Sequence, residues 1–175
     1  GKSKNIAILF PMERIFEDYI GYLIKTYVDG HEIKTQDRSY YLVSNHKNNK
    51  KFGLRPDIVI TNEYTQEQLI FDTKWKLIDE AKENKNYNIS QADMYQLYAY
   101  GKKYDLNNEF SSAPKLILLY PSNPNFRNPL NRFVYEDGLT LNVIPFDLTS
   151  SLSIDQEKQE VLNVLHYEER SLDAV

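Results

Sequence analysis

The chain contains no cysteine. That excludes disulfides, zinc–thiolate sites and thiol nucleophiles, and it fits a reducing cytoplasm, the expected location. Glycine is scarce and scattered, with 6 in the chain. There is accordingly no Gly-rich phosphate-cradling loop and no Gly-x-Ser-x-Gly elbow, so P-loop and serine-hydrolase chemistry drop out. His31, His46 and His166 stand in polar or helical settings without ligand spacing. No apolar run approaches the roughly 20 residues that cross a bilayer, so no membrane span is expected. Gly1-Lys2-Ser3-Lys4 lacks the apolar centre of a signal peptide. An excess of positive charge is also missing: 21 Lys and Arg stand against 25 Asp and Glu, for a net charge of −4. A free-standing DNA binder is usually basic. Catalytic carboxylates lower the total, however, and basic residues cluster locally at Lys47, Lys50, Lys51 and Arg55.

What is present describes an ordinary globular protein. With 175 residues, 41% apolar and 26% charged, the chain is expected to be one α/β domain over 1–175 with a substantial core. Fourteen tyrosines supply amphipathic filler, with base stacking open to a few. Ile15, Phe16, Tyr19, Ile20, Leu23, Ile24 and Tyr27 recur at helical spacing and predict a helix over 12–28, closed by Gly30. Residues 39–44 are β-rich, and 45–51 reads as a hairpin turn or exposed loop. Strands are expected at 57–61 and 68–75, joined by the polar turn 62–67. Residues 82–88 read as a loop. Ser90, with Asp93 three residues on, predicts a capping-box start to a helix reaching about Tyr104. The unbroken apolar run 115–120 suits a strand covered on both faces. Asp137-Gly138 marks a hairpin between strands at 132–135 and 140–145. Ser153 and Gln156 cap a last helix over about 153–168, after a core spanning about 12–146. The strand–helix–strand portion implies a parallel pair, hence a mixed sheet with helices on both faces.

The chemistry centres on Arg55-Pro56-Asp57 and Asp72-Thr73-Lys74. Alternation along a strand projects Asp72 and Lys74 from the same face. Mg²⁺ takes oxygen ligands and keeps several waters, so Asp57 and Asp72 suffice as carboxylate ligands, with the Thr73 backbone carbonyl as a third. Lys74 would orient the attacking water and stabilise developing negative charge, or act as a base if burial lowered its pKa. Asp after Pro also commonly opens a strand, and Lys on an edge strand blocks aggregation. A bare Asp72 directly after Leu69-Ile70-Phe71, however, is costly unless paired or metal-bound. Gln96 and Tyr100, four apart on the second helix, share a face and could hold Lys74, a water or a phosphate oxygen. Gln91 lies on the same helix, five residues before Gln96. Glu17 of the first helix is a further candidate metal ligand, directly or through water, although acids near a helix start also stabilise its dipole.

Pro56-Asp57 followed by Asp72-Thr73-Lys74 resembles the PD-(D/E)XK nuclease superfamily, and Gln96 with Tyr100 resembles the Gln-x-x-x-Tyr motif of its RecB-like branch. The blocks 54–59, 72–76, 90–100 and 118–121, with Phe16-Glu17, look like the McrC family. This resemblance implies a restriction-endonuclease-like core with a mixed central sheet. It implies a Mg²⁺-dependent DNA endonuclease (Mn²⁺ substituting) of type IV restriction, in which an McrB-like AAA+ GTPase reads modified cytosine and translocates. Asp57 and Asp72 would bind Mg²⁺ and Lys74 would be the catalytic lysine, with Glu17, Gln91, Gln96 and Tyr100 accessory. Lys47, Lys50, Lys51, Arg55 and Lys76 are expected to touch DNA. The N-terminal region through which McrC-like proteins contact McrB is expected to be absent, leaving a C-terminal nuclease domain. Cutting both strands needs two sites, so dimerisation at work is expected. Two other readings stay open: a RecB-like exonuclease or repair nuclease working without a GTPase, and an inactive nuclease fold serving as a docking module.

Overall fold

Phe16, Ile20, Leu23 and Ile24 lie one helical turn apart and wind Met12–Tyr27 into α1, with that stripe buried and Ile15 left outside it at 43% exposure. The computed structural model describes residues 11–107, 112–149 and 153–170. Gly30 follows α1 with φ +70°, a backbone state that suits glycine, and turns the chain into β1 (His31–Thr35). β1 is short and polar, and no apolar pattern foreshadows it. Next come β2 (Tyr41–His46), β3 (Asn49–Gly53), β4 (Ile58–Asn62) and β5 (Gln68–Thr73). A 3-10 segment at Glu83–Asn88, interrupted by left-handed Asn86 and Tyr87, occupies the expected loop. Then follow α2 (Gln91–Asp105), β6 (Lys115–Pro121), β7 (Phe133–Val134), β8 (Thr140–Phe146) and α3 (Ile154–Arg170).

Six strands form one mixed sheet in the order β1-β4-β5-β6-β8-β7. β4 runs antiparallel to β1 and to β5, whereas β5–β6 and β6–β8 are parallel and β7–β8 is antiparallel. The β5–α2–β6 crossover is the parallel connection expected from the sequence. β5 and β6 are central, and both are apolar because each face is covered. One face of Ile58, Ile60, Phe71, Ile117, Leu119 and Ile144 packs on α1 and α3. The other, with Val59, Ile70, Leu116, Leu118 and Val143, packs on Leu97, Tyr100 and Tyr104 of α2. Successive residues of β5 therefore belong to different cores, and Asp72 continues the parity of Ile70 toward α2.

Three local expectations needed correcting. The hairpin expected at 45–51 forms, but its turn is shorter than the polar run: it is only Lys47-Asn48, both left-handed (φ 50° and 64°), and β3 begins at Asn49. Two central residues with positive φ are the mark of a tight hairpin turn that matches strand twist. The β2–β3 pair is a separate two-stranded sheet, not part of the main one. At α2, Ser90 makes no side-chain cap hydrogen bond, and Asp93 is buried rather than capping. The capping box at α3 does form: Gln156 Oε1 accepts from the Ser153 N–H at 2.8 Å, and Ser153 Oγ accepts from the Gln156 N–H at 3.4 Å.

Candidate active site

Buried Pro56 fixes its own φ and delivers Asp57 to the mouth of β4. The β4–β5 register pairs Ile58 with Phe71, so one step further sets Asp57 across from Asp72. Asp57 Oδ2 accepts two hydrogen bonds from the end of β5, from the Thr73 N–H at 2.6 Å and the Thr73 hydroxyl at 2.8 Å. Asp72 is 1% exposed, flanked by β4 and β6, and its Oδ2 is ion-paired with Lys74 Nζ. The expected same-face pairing of Asp72 and Lys74 is thus present. Lys74 itself keeps an exposed edge, with 15% of its side chain accessible.

These groups strongly perturb one another. Burial, reinforced by the Asp57 charge, pushes the Asp72 carboxyl up to about 7 against the pull of Lys74. Burial also raises Asp57, opposed by the two Thr73 bonds. For Lys74, burial acts to lower the pKa, but Asp72 and Asp57 outweigh it and the net shift is upward. Lys74 is therefore an ammonium ion, and the conditional reading of it as a base lacks the lowered pKa it required.

Glu17 of α1 faces the same region. With Asp57 it lines an open cavity of about 370 Å³ that also takes in Arg14, Lys25 and Gln36. Gln36 ties the rim together: its backbone N–H donates to the Asp57 carbonyl at 2.7 Å, its amide donates to Glu17 Oε1 at 2.6 Å, and its Oε1 accepts from Arg55. Nothing in the polar sequence around Gln36 singled it out. Arg55 is exposed at this rim.

On the α2 side, Gln96 donates to the Tyr100 hydroxyl at 2.6 Å, and that hydroxyl donates to the Arg55 carbonyl at 3.0 Å. Burial, then the nearby Asp72 charge, pushes the Tyr100 phenol up to about 12, so it stays neutral and able to donate. The pair thus holds the backbone leading into Asp57, while Gln96 itself is exposed. Gln91 is exposed and bonds to Tyr95 of its own helix at 2.5 Å. Lys76 is paired with Asp93 at 2.9 Å, and the Tyr120 hydroxyl reaches the same Asp93 oxygen at 3.4 Å. Asp93 was legible after all in its spacing: it precedes Leu97, Tyr100 and Tyr104 by four, seven and eleven positions, on the buried stripe of α2. Lys47, Lys50 and Lys51 lie apart from this cluster, exposed on the β2–β3 hairpin.

The donor set suits a hard divalent cation. Asp72 Oδ2 is buried and receives no well-directed hydrogen bond, and both bonds to Asp57 fall on one of its oxygens. Among the described residues no three His, Asp or Glu side chains converge closely enough to cage a metal. Glu17 therefore makes no tight triad with Asp57 and Asp72. A two-carboxylate site fits Mg²⁺, which keeps several of its waters.

The family model for the McrBC 5-methylcytosine restriction system component matches residues 1–121. The chain belongs to the McrBC family. That match covers α1, the hairpin, β4, β5, α2 and β6, and it bears out the resemblance carried by the motif blocks. No curated protein matches the chain. The mixed α/β architecture is compatible with the restriction-endonuclease-like core that this McrBC chain was expected to have. Among the described residues no helix is long and apolar enough to cross a membrane.

Proposed function

We propose that this McrBC-family chain is the nuclease arm of a modification-dependent restriction system, hydrolysing DNA phosphodiester bonds with Mg²⁺ in the cytoplasm. Its partner is an AAA+ GTPase that selects methylcytosine-containing DNA and drives translocation. The observation that carries this reading is the meeting of Asp57, Asp72 and Lys74 at the end of β5, in a chain of this family.

Asp57 and Asp72 would hold the cation, with the Thr73 carbonyl beside them. A bound Mg²⁺ would neutralise phosphate charge and acidify a coordinated water. Thr73 orients Asp57 through two hydrogen bonds, so the carboxylate does not have to reorganise when substrate arrives. Lys74, kept charged by its acidic neighbours, places an ammonium against the phosphate oxygens as negative charge builds. Tyr100 fixes the approach to Asp57 by holding the Arg55 carbonyl. Glu17 flanks the cavity and would contribute to holding the cation through a water.

The test is cleavage of methylated plasmid by the chain with its GTPase partner, GTP and Mg²⁺. Asp72→Ala and Lys74→Ala are expected to abolish cutting while circular dichroism remains native. Undiminished cleavage by either folded variant would refute the assignment. Digestion from the ends of linear unmodified DNA, with circles spared and GTP unnecessary, would replace it with an exonuclease.

A further inference from the structure

The charge of the chain is unevenly distributed. Residues 38–56 hold Arg38, Lys47, Lys50, Lys51 and Arg55 and not one Asp or Glu, within a chain of net charge −4. This stretch is the β2–β3 hairpin with its two stems. Every residue of β3 is exposed, and β2 exposes Leu42 and all of Ser44, Asn45 and His46. Phe52 is 73% exposed with φ +56°, so an aromatic ring is displayed outward from a left-handed backbone that bulky residues rarely adopt. Among the described residues Lys47, Lys50 and Lys51 have no acidic partner, whereas Lys74 and Lys76 beside the candidate site are ion-paired. Lys50 lies over the Tyr41 ring, 5.7 Å from its centroid.

The base of the hairpin is fixed to the candidate site. Leu54 N–H donates to the Tyr40 carbonyl at 2.9 Å, and the Tyr40 ring meets Tyr104 of α2 edge-on at 4.6 Å. Tyr104 also donates to Asp37, and the Arg55 guanidinium joins Gln36, which bonds the Asp57 carbonyl. A ribbon six residues long, at about 3.3 Å per residue, reaches roughly 20 Å from that anchor. The major groove of B-DNA, about 12 Å wide, admits a two-stranded ribbon.

We propose that the β2–β3 hairpin is this chain's own duplex-DNA contact: it lies along a groove, with Lys47, Lys50 and Lys51 on phosphates and Phe52 against sugar and base edges. The occupant is duplex DNA because the surface offers three unpaired ammonium groups and no acid, the complement of a polyanion rather than of a mixed protein surface. Contacts of this type are independent of sequence, so they position the backbone at the acids while base selection rests with the partner. The inference builds on the nuclease reading for its occupant, but it is tested without catalysis.

The experiment measures binding of the chain to a fluorescent DNA duplex in EDTA across a salt series. The variant Lys47→Gln/Lys50→Gln/Lys51→Gln is expected to bind at least about tenfold more weakly, with a log–log salt slope shallower by up to about 2.7, or about 0.9 per phosphate contact. Lys47→Arg/Lys50→Arg/Lys51→Arg should keep the wild-type slope, and Phe52→Ala should weaken binding without changing it. Acetylation footprinting of the wild-type chain needs no variant: duplex should protect these three lysines. A folded triple-Gln variant with wild-type affinity and slope, or lysines that react equally with and without duplex, would overturn the proposal even if Mg²⁺-dependent cleavage stood. Loss of cleavage in Asp72→Ala with hairpin binding intact would leave it in place.

Discussion

Thr73 donates both its backbone N–H and its hydroxyl to a single oxygen of Asp57, at 2.6 and 2.8 Å. One residue at the end of β5 thereby sets the carboxylate at the mouth of β4 through one oxygen, and Thr73 does not engage the other. Thr73→Val keeps the β-branched shape and the N–H but removes the hydroxyl. Expected effects are a loss of about 1 kcal/mol in urea denaturation and weaker Mg²⁺ binding by calorimetry. Unchanged Mg²⁺ affinity would show that the hydroxyl does not position Asp57.

Asp72 links stability to pH. The folded chain keeps this proton up to about 7, whereas an unfolded Asp releases it near 3.8. Between those values the native state binds more protons than the unfolded state, so the contribution of Asp72 to stability falls as pH rises and is lowest above about 7. Asp72→Asn removes the titration. In EDTA the melting temperature of the variant, relative to wild type, should climb from about pH 4 to about pH 8. Mg²⁺ should narrow the gap at the upper end by stabilising the wild-type anion. A gap that stays flat with pH would contradict the raised carboxyl.

Asp93 and Lys76 are unequal partners. The Lys76 side chain is 41% exposed and that of Asp93 8%, so solvent screens the pair and the lysine contributes little. Lys76→Ala should cost less than about 1 kcal/mol. Asp93→Ala also strips the fully buried Tyr120 hydroxyl of its acceptor and should cost about 1–3 kcal/mol. Chemical denaturation of both single variants and the double variant measures the coupling; equal losses from the two singles would refute this asymmetry.

Gly101 lets α2 approach the sheet. A Cβ there would lie 3.1 Å from two Leu116 methyls and 3.1 Å from a Leu139 methyl. Ala at this position gains up to about 1 kcal/mol of helix propensity but must push those side chains aside, which typically costs about 1–3 kcal/mol. Gly101→Ala is expected to be net destabilising by denaturant melting, and a stabilised variant would show that the leucines yield freely.

Legibility in the sequence tracked local physics. The stripe of α1, the apolar runs of β4, β5 and β6, the Asp137-Gly138 turn and the Ser153 cap each follow from a short window of residue types, and each formed. The proximity of Asp72 and Lys74 followed from strand alternation alone. β1 and β3 were missed because His31–Thr35 and Asn49–Gly53 carry few apolar side chains; backbone pairing makes them strands, β1 with β4 and β3 with β2. Asp93 was misassigned to a cap because Ser-x-x-Asp fits that pattern, while its actual partner, Lys76, lies 17 residues away in the chain.

Residue types and their spacing were enough to read the α/β class and to single out Asp57, Asp72 and Lys74 as neighbours, since helices, strands and turns answer to residues a few positions away. Folding in three dimensions settled the rest. It placed Asp57 beside Thr73 across two strands, brought Gln36 between Glu17 and Arg55, raised the Asp72 carboxyl by burying it, and set the basic hairpin apart from the main sheet. The physical reason is that hydrogen-bond register, desolvation and charge–charge coupling depend on groups distant in sequence, and only the packed chain brings those groups within reach of one another.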